Sequence, residues 1–137
     1  MFSTLWGNIS RKLGLEVIEI EGDWRSRIDA DKLEEVLNAD KQGEIKAVFA
    51  THNETSTGVT SDMAAVRGAM DKAGHDAMLF VDAVSSLGAM EYEHDKWRVD
   101  VTICGSQKGL MLPPGLAFTA VSDKALEAKK TAGLVPG

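Results

Sequence analysis

Two ionisable residues of this chain have neighbours that change what they can do. Lys108 stands in Gly105-Ser106-Gln107-Lys108-Gly109-Leu110-Met111-Leu112-Pro113-Pro114-Gly115, after an apolar run and before a proline-stiffened turn. Glycines at 105 and 109 let a flat, bulky group approach the backbone. Apolar surroundings would favour the neutral amine, the form that attacks a carbonyl carbon. Asp82 closes another apolar run, Leu79-Phe80-Val81-Asp82-Ala83-Val84-Ser85-Ser86-Leu87-Gly88. A carboxylate there is costly to desolvate unless a cation or a hydrogen-bond donor meets it. Taken singly, each has a plainer reading: the aspartate caps a turn or pairs with a nearby base, and the lysine is solvated in its loop. Together, a strand-end acid and a loop amine on neighbouring strands supply the two charged contacts that a pyridoxal phosphate ring needs.

Such residues meet only if the elements before them are strands with a shared C-terminal edge, the edge at which open α/β sheets bind ligands. Five short apolar runs recur, at 15–20, 46–51, 77–84, 99–105 and 115–122, most of them separated by segments of helical character. That alternation predicts an α/β domain, a three-layer sandwich around a mostly parallel sheet. Residues 77–81 are apolar without alternation, which predicts a central strand covered on both faces. The run 115–122 follows the Pro113-Pro114 turn too closely for a helical crossover, which predicts one antiparallel strand. Helices are predicted from Asp29, as cap, to residue 39; from Ser61 or Asp62 to about Gly74; over 4–13; and over 124–130.

The bulk composition narrows the function classes. In 137 residues, 44 % of them apolar, there is enough material for one folded domain. Twenty-one acidic against fifteen basic residues give a charge of −6 without a charged block, which argues against nucleic acid or an anionic membrane surface as partner. The single cysteine, Cys104, forms no internal disulfide, and no CxxC or Cys/His cluster offers a metal cage. No signal-peptide pattern opens the chain and no apolar stretch nears the roughly 20 residues that span a bilayer. A cytoplasmic protein is expected.

The segment 105–115 closely resembles the Schiff-base lysine motif of class V aminotransferases, in the serine–glyoxylate and alanine–glyoxylate branch. Thr51-His52-Asn53-Glu54-Thr55-Ser56-Thr57-Gly58-Val59 resembles the loop beneath the cofactor in that family, and Val81-Asp82-Ala83-Val84-Ser85-Ser86-Leu87-Gly88 its pyridine-binding strand. The resemblance runs from about residue 2 to about residue 130. It implies the type I fold of pyridoxal-phosphate enzymes, with residues 1–131 as part of the large domain and 132–137 as an irregular tail. It also implies roles: Lys108 as the cofactor-binding lysine and proton shuttle, Asp82 on the ring nitrogen, Thr55 on the phenolic oxygen, Val84 against one ring face, and Gln107, with Ser106 as a weaker candidate, on the phosphate. Substrates would be a small amino acid, serine or alanine, and glyoxylate or a similar 2-oxo acid.

Under the same resemblance the phosphate-cradling glycine-rich loop and the stacking aromatic would lie upstream, and the carboxylate-gripping arginine downstream. The sequence is therefore expected to be a fragment, inactive alone, that self-associates or forms a homodimer. His52, His75 and His94 are read as structural, the last two at exposed turns. Trp6, Trp24 and Trp97 are read as packing residues and Cys104 as a buried small residue. Two other readings stay open: a lyase or desulfurase of the same fold, against which Gln107 argues because desulfurases tend to place histidine before the lysine, and a non-catalytic α/β binding module.

Overall fold

A computed structural model describes residues 2–133. Helix α1 spans Phe2–Lys12 and α2 spans Ala30–Ala39. Strand β1, Ala47–Thr51, is followed by a small hairpin, β2 at Asn53–Glu54 and β3 at Val59–Thr60. Helix α3, Met63–Lys72, then leads to β4, Met78–Asp82. Strand β5 is Val101–Gly105, β6 is Ala117–Val121, and α4, Asp123–Lys129, completes the order.

Side chains fix where the helices start. Asp29 accepts hydrogen bonds from the Asp31 and Lys32 amides ahead of α2, satisfying donors that the first turn leaves unpaired. Asp62, not Ser61, caps α3 by accepting from the Ala65 amide. The Ser61 hydroxyl instead accepts from the Ile28 amide, 33 positions earlier. Gly74, at φ +59°, turns the chain out of α3, and the His75 amide closes on the Met70 carbonyl.

The main sheet has the order β1-β4-β5-β6. The first three strands are parallel and β6 is antiparallel to β5, as its short connection predicts. Leu79 and Val81 of β4 point to one face, where Leu33, Leu37, Met63, Val66 and Met70 of α2 and α3 bury them. The opposite face carries Phe49, Phe80 and Asp82, and α1 lies there with Trp6 stacked on Phe49 at 4.6 Å. Helices thus occupy both faces of a mostly parallel sheet.

Three expectations are corrected. Residues 15–20 form no strand: β1 ends the ladder and no neighbour pairs with them. Strand β4 is central but fully covered on one face only, because Met78 and Phe80 on the other are only partly buried, Phe80 against the ring of Phe49. Trp24 is 60 % exposed and packs on nothing comparable to the Trp6 and Trp97 contacts. Of the expected tail, residues 134–137 lie outside the described residues. Among the described residues no helix is long and apolar enough to cross a membrane.

Candidate active site

The parallel strands β1, β4 and β5 end at Thr51, Asp82 and Gly105, so their C-terminal ends form one edge. Thr51 and Asp82 are register partners, and Asp82 is in turn paired with Ile103. Each strand runs from this edge into a loop that carries predicted site residues. Thr55 is in the β2–β3 hairpin, Val84 in the turn 83–90, and Ser106, Gln107 and Lys108 in the loop 106–116.

The three loops are held together by direct contacts. Ser85 donates from Oγ to the Asn53 carbonyl at 3.1 Å and to Asn53 Oδ1 at 3.0 Å, which fastens the turn to the hairpin. On its other side the turn meets the lysine loop backbone to backbone. A Cβ at Gly109 would stand 2.4 Å from the Leu87 carbonyl oxygen and 2.7 Å from the Ala89 nitrogen, and one at Gly88 would stand 2.9 Å from the Gly109 oxygen. Gly88 also has φ +82°, a conformation that only glycine adopts at little cost. The backbones flanking Asp82 and Lys108 are therefore in contact.

Within its loop, Ser106 is completely buried. Its hydroxyl donates to the Pro113 carbonyl at 2.6 Å and accepts from the Leu116 amide at 3.3 Å, closing the loop across its neck. Gln107 folds its amide back over Gly105, with Oε1 3.0 Å from where a Cβ would be. Lys108 is exposed, so the apolar surroundings expected for it are not formed by these residues. Its carbonyl accepts from the Met111 amide at 2.9 Å in a tight turn.

Asp82 is half-buried. Burial first, and then the charge of Glu54, pushes its carboxyl above the ordinary range, while the Val84 amide, donating to Oδ1 at 2.9 Å, draws it back. The other oxygen, Oδ2, has no hydrogen bond among the described residues. Thr55 is exposed in the hairpin turn.

Each histidine ring has a hydrogen-bond partner within the fold. His52 is buried, shares a 2.9 Å hydrogen bond with Ser86 Oγ, and has its ring against Tyr92 and Trp97. Burial pushes its imidazole below the ordinary value, which favours the neutral form. His75 is not at an exposed turn: its side chain is only 7 % exposed and lies 3.1 Å from Asp40 Oδ2 at the far edge of the sheet. His94 shares a bond with Thr102 Oγ1 at 2.7 Å. Cys104 is buried, and desolvation pushes its thiol up.

Sequence reasoning did not find the Ser85–Asn53 tie, the contact of Gly88 with Gly109, or Thr51. The glycines themselves were visible, but a backbone-to-backbone approach between positions 21 residues apart leaves no local pattern. Thr51 Oγ1 is buried and is without a hydrogen-bond partner among the described residues.

Residues 2–133 match the family model for aminotransferase class-V. The chain is 54 % identical over 134 residues to an L-aspartate–glyoxylate aminotransferase of Paracoccus denitrificans, covering 98 % of this chain and 34 % of that protein. It is 55 % identical over 127 residues to a serine–glyoxylate aminotransferase of Methylorubrum extorquens, covering 93 % and 32 %. The fold superposes on an alanine–glyoxylate aminotransferase from Nostoc sp. with a TM-score of 0.87 at 26 % identity, over 98 % of this chain and 34 % of that one. The chain spans about a third of the length of the curated relatives it matches.

Proposed function

The chain belongs to the aminotransferase class-V family, and from that premise we propose that it carries the cofactor-binding core of a pyridoxal-phosphate-dependent aminotransferase. The reaction moves an amino group from serine or alanine to glyoxylate or a similar 2-oxo acid. The two curated relatives above have glyoxylate in common and differ in amino donor, and the acceptor in this proposal rests on that agreement.

The observation that carries the reading is the backbone contact between the turn after Asp82 and the loop of Lys108, on adjacent parallel strands at one sheet edge. The donor set fits the cofactor. Asp82 offers an unpaired oxygen on a carboxylate that burial makes costly to ionise, and a protonated ring nitrogen offsets that cost. Lys108 offers an exposed amine, Thr55 an exposed hydroxyl, and Gln107 an amide.

When bound, the cofactor supplies an electron sink for a carbanion at the substrate Cα. Lys108 would hold it through the amine and would take and return the proton at the substrate Cα. Asp82 keeps the ring nitrogen protonated. Thr55 donates to the phenolic oxygen, Val84 presses on one face of the ring, and Gln107 reaches the phosphate. Ser106 joins that phosphate contact only by giving up its bond to Pro113, so its first role is to hold the loop shut. The desulfurase alternative finds no support in Cys104, a buried thiol that desolvation keeps protonated.

Among the described residues fifteen large apolar side chains are exposed, including Phe2, Leu5 and Ile9 along α1, Leu13 just after it, and Phe118 and Val121 on β6. Surfaces of that kind favour self-association, and we place a homodimer in the proposal on that ground. The cytoplasm is the proposed compartment.

The test is direct. Pyridoxal phosphate added to the purified chain is expected to give an absorbance band near the visible edge, and borohydride is expected to trap the adduct on Lys108. Lys108→Ala should lose both. Absence of a trappable adduct on Lys108 in a folded chain would overturn the assignment.

A further inference from the structure

Thr51 is left over once the residues above have roles. It ends β1 at the same edge, it is only 8 % exposed, and its hydroxyl has no hydrogen-bond partner among the described residues. A buried hydroxyl without a partner is costly, and native proteins keep few of them. Its register partner on the neighbouring strand is Asp82. Register partners on parallel strands project to the same face, and the strands are about 4.8 Å apart. The two side chains are thus neighbours.

That carboxylate has an oxygen to spare. Asp82 Oδ1 accepts from the Val84 amide, whereas Oδ2 accepts from nothing among the described residues. A buried donor without a partner and a carboxylate oxygen to which no described residue donates therefore lie on register partners of one face.

We propose that Thr51 is a positioning residue: its hydroxyl donates to Asp82 Oδ2, so that Val84 and Thr51 hold the carboxylate from two sides and aim it at the ring nitrogen. The significance for catalysis rests on the ring-nitrogen role proposed for Asp82. The hydrogen bond itself needs no cofactor. A donor on the charged form favours ionisation, so Thr51 opposes the effect of burial and of Glu54. Among the described residues the ionisable groups at this edge also include His52, which follows β1 and is bonded to Ser86, Tyr92, whose ring packs on His52, and Lys108 in the loop after β5.

The experiment titrates the chain itself, without cofactor, using carboxyl-labelled aspartate and NMR, with the Asp82 resonance assigned by its loss in Asp82→Asn. Thr51→Val keeps the shape and removes the donor. Asp82 in that variant is expected to bind its proton about tenfold more tightly, the scale of one hydrogen bond to a charged group, and Thr51→Ser is expected to restore the parent midpoint. If Thr51→Val does not fold, Thr51→Cys, a weak donor of similar size, makes the same comparison. A Thr51 that served packing alone would change stability and leave the Asp82 midpoint where it was, and that result overturns the proposal. A moved midpoint in a chain that takes up no pyridoxal phosphate would sink the functional assignment and leave the Thr51–Asp82 pair standing.

Discussion

Replacing Gly88 by alanine tests the contact on which the site depends. Two costs add at that position. A φ of +82° is unfavourable for any L side chain, by about 1–2 kcal/mol. The new Cβ also meets the Gly109 carbonyl oxygen at 2.9 Å and its carbon at 3.0 Å, and forcing backbone apart in a packed region costs about 1–3 kcal/mol. Together they come to about 3 kcal/mol, which at a urea slope of about 1.5 kcal/mol/M lowers the unfolding midpoint by about 2 M. Gly74→Ala is the matched control, because Gly74 has φ +59° and nothing within 4 Å of its Cβ position. It pays the dihedral cost alone, so its midpoint should fall by about half as much or less. Both variants narrow the unfolded ensemble equally, so that effect cancels in the comparison. Borohydride trapping at Lys108 should fall in Gly88→Ala and persist in Gly74→Ala. Equal midpoints for the two variants, with trapping intact in both, would mean that the turn after Asp82 does not hold the lysine loop.

Three further variants probe the electrostatics and the loop neck. The folded-state value of Asp82 is raised, so the folded chain holds this proton more tightly than the unfolded chain does. Its ionisation therefore removes stability as pH rises from the unfolded carboxylate value, about 4, through the raised folded value. Asp82→Asn should accordingly be the more stable protein at pH 7 without cofactor, by urea titration, while losing the pyridoxal phosphate band. Asp40 has the opposite sign: amide donors from Ile45 and Glu44, then His75, hold its carboxyl at about 2. The stability it contributes is present above the unfolded carboxylate value and is lost as pH falls through about 2, so the deficit of Asp40→Ala at pH 6 should shrink in acid melts. Ser106→Ala removes two bonds across the neck of the lysine loop. It should cost about 2–3 kcal/mol and speed amide exchange at Leu116, whereas unchanged exchange there would deny the hydroxyl its structural role.

Most of the fold could be read from local pattern, and the failures share one cause. Asp29 and Asp62 announce α2 and α3 because a cap is a contact within four residues. The reversed direction of β6 follows from the short loop that precedes it. Residues 15–20 have strand composition yet form none, because a strand is made by its neighbour and β1 has none on that side. Strand β4 shows the same limit, since its apolar run describes a strand able to be covered twice while coverage depends on what else packs there. Its central place in the sheet was legible, and the incomplete burial of Met78 and Phe80 was not.

The site divides along the same line. Lys108 and Asp82 could be picked out because chemistry and position within an element are local properties. What holds them together is not local: a hydroxyl, Ser85, reaching back 32 residues to Asn53, and two glycines whose backbones touch. The division has a physical consequence for how the site tolerates change. Asp82 and Gly105, the strand ends that lead into the two loops, belong to a sheet whose pairing is continuous from β1 to β6, so their separation is set by ladder geometry that single substitutions barely move. Their loops, in contrast, are fixed by a few hydrogen bonds and backbone contacts. Substitutions at Gly88, Gly109 or Ser85 should therefore loosen the cofactor end of the site while leaving the sheet folded, and those in the sheet core should unfold both together.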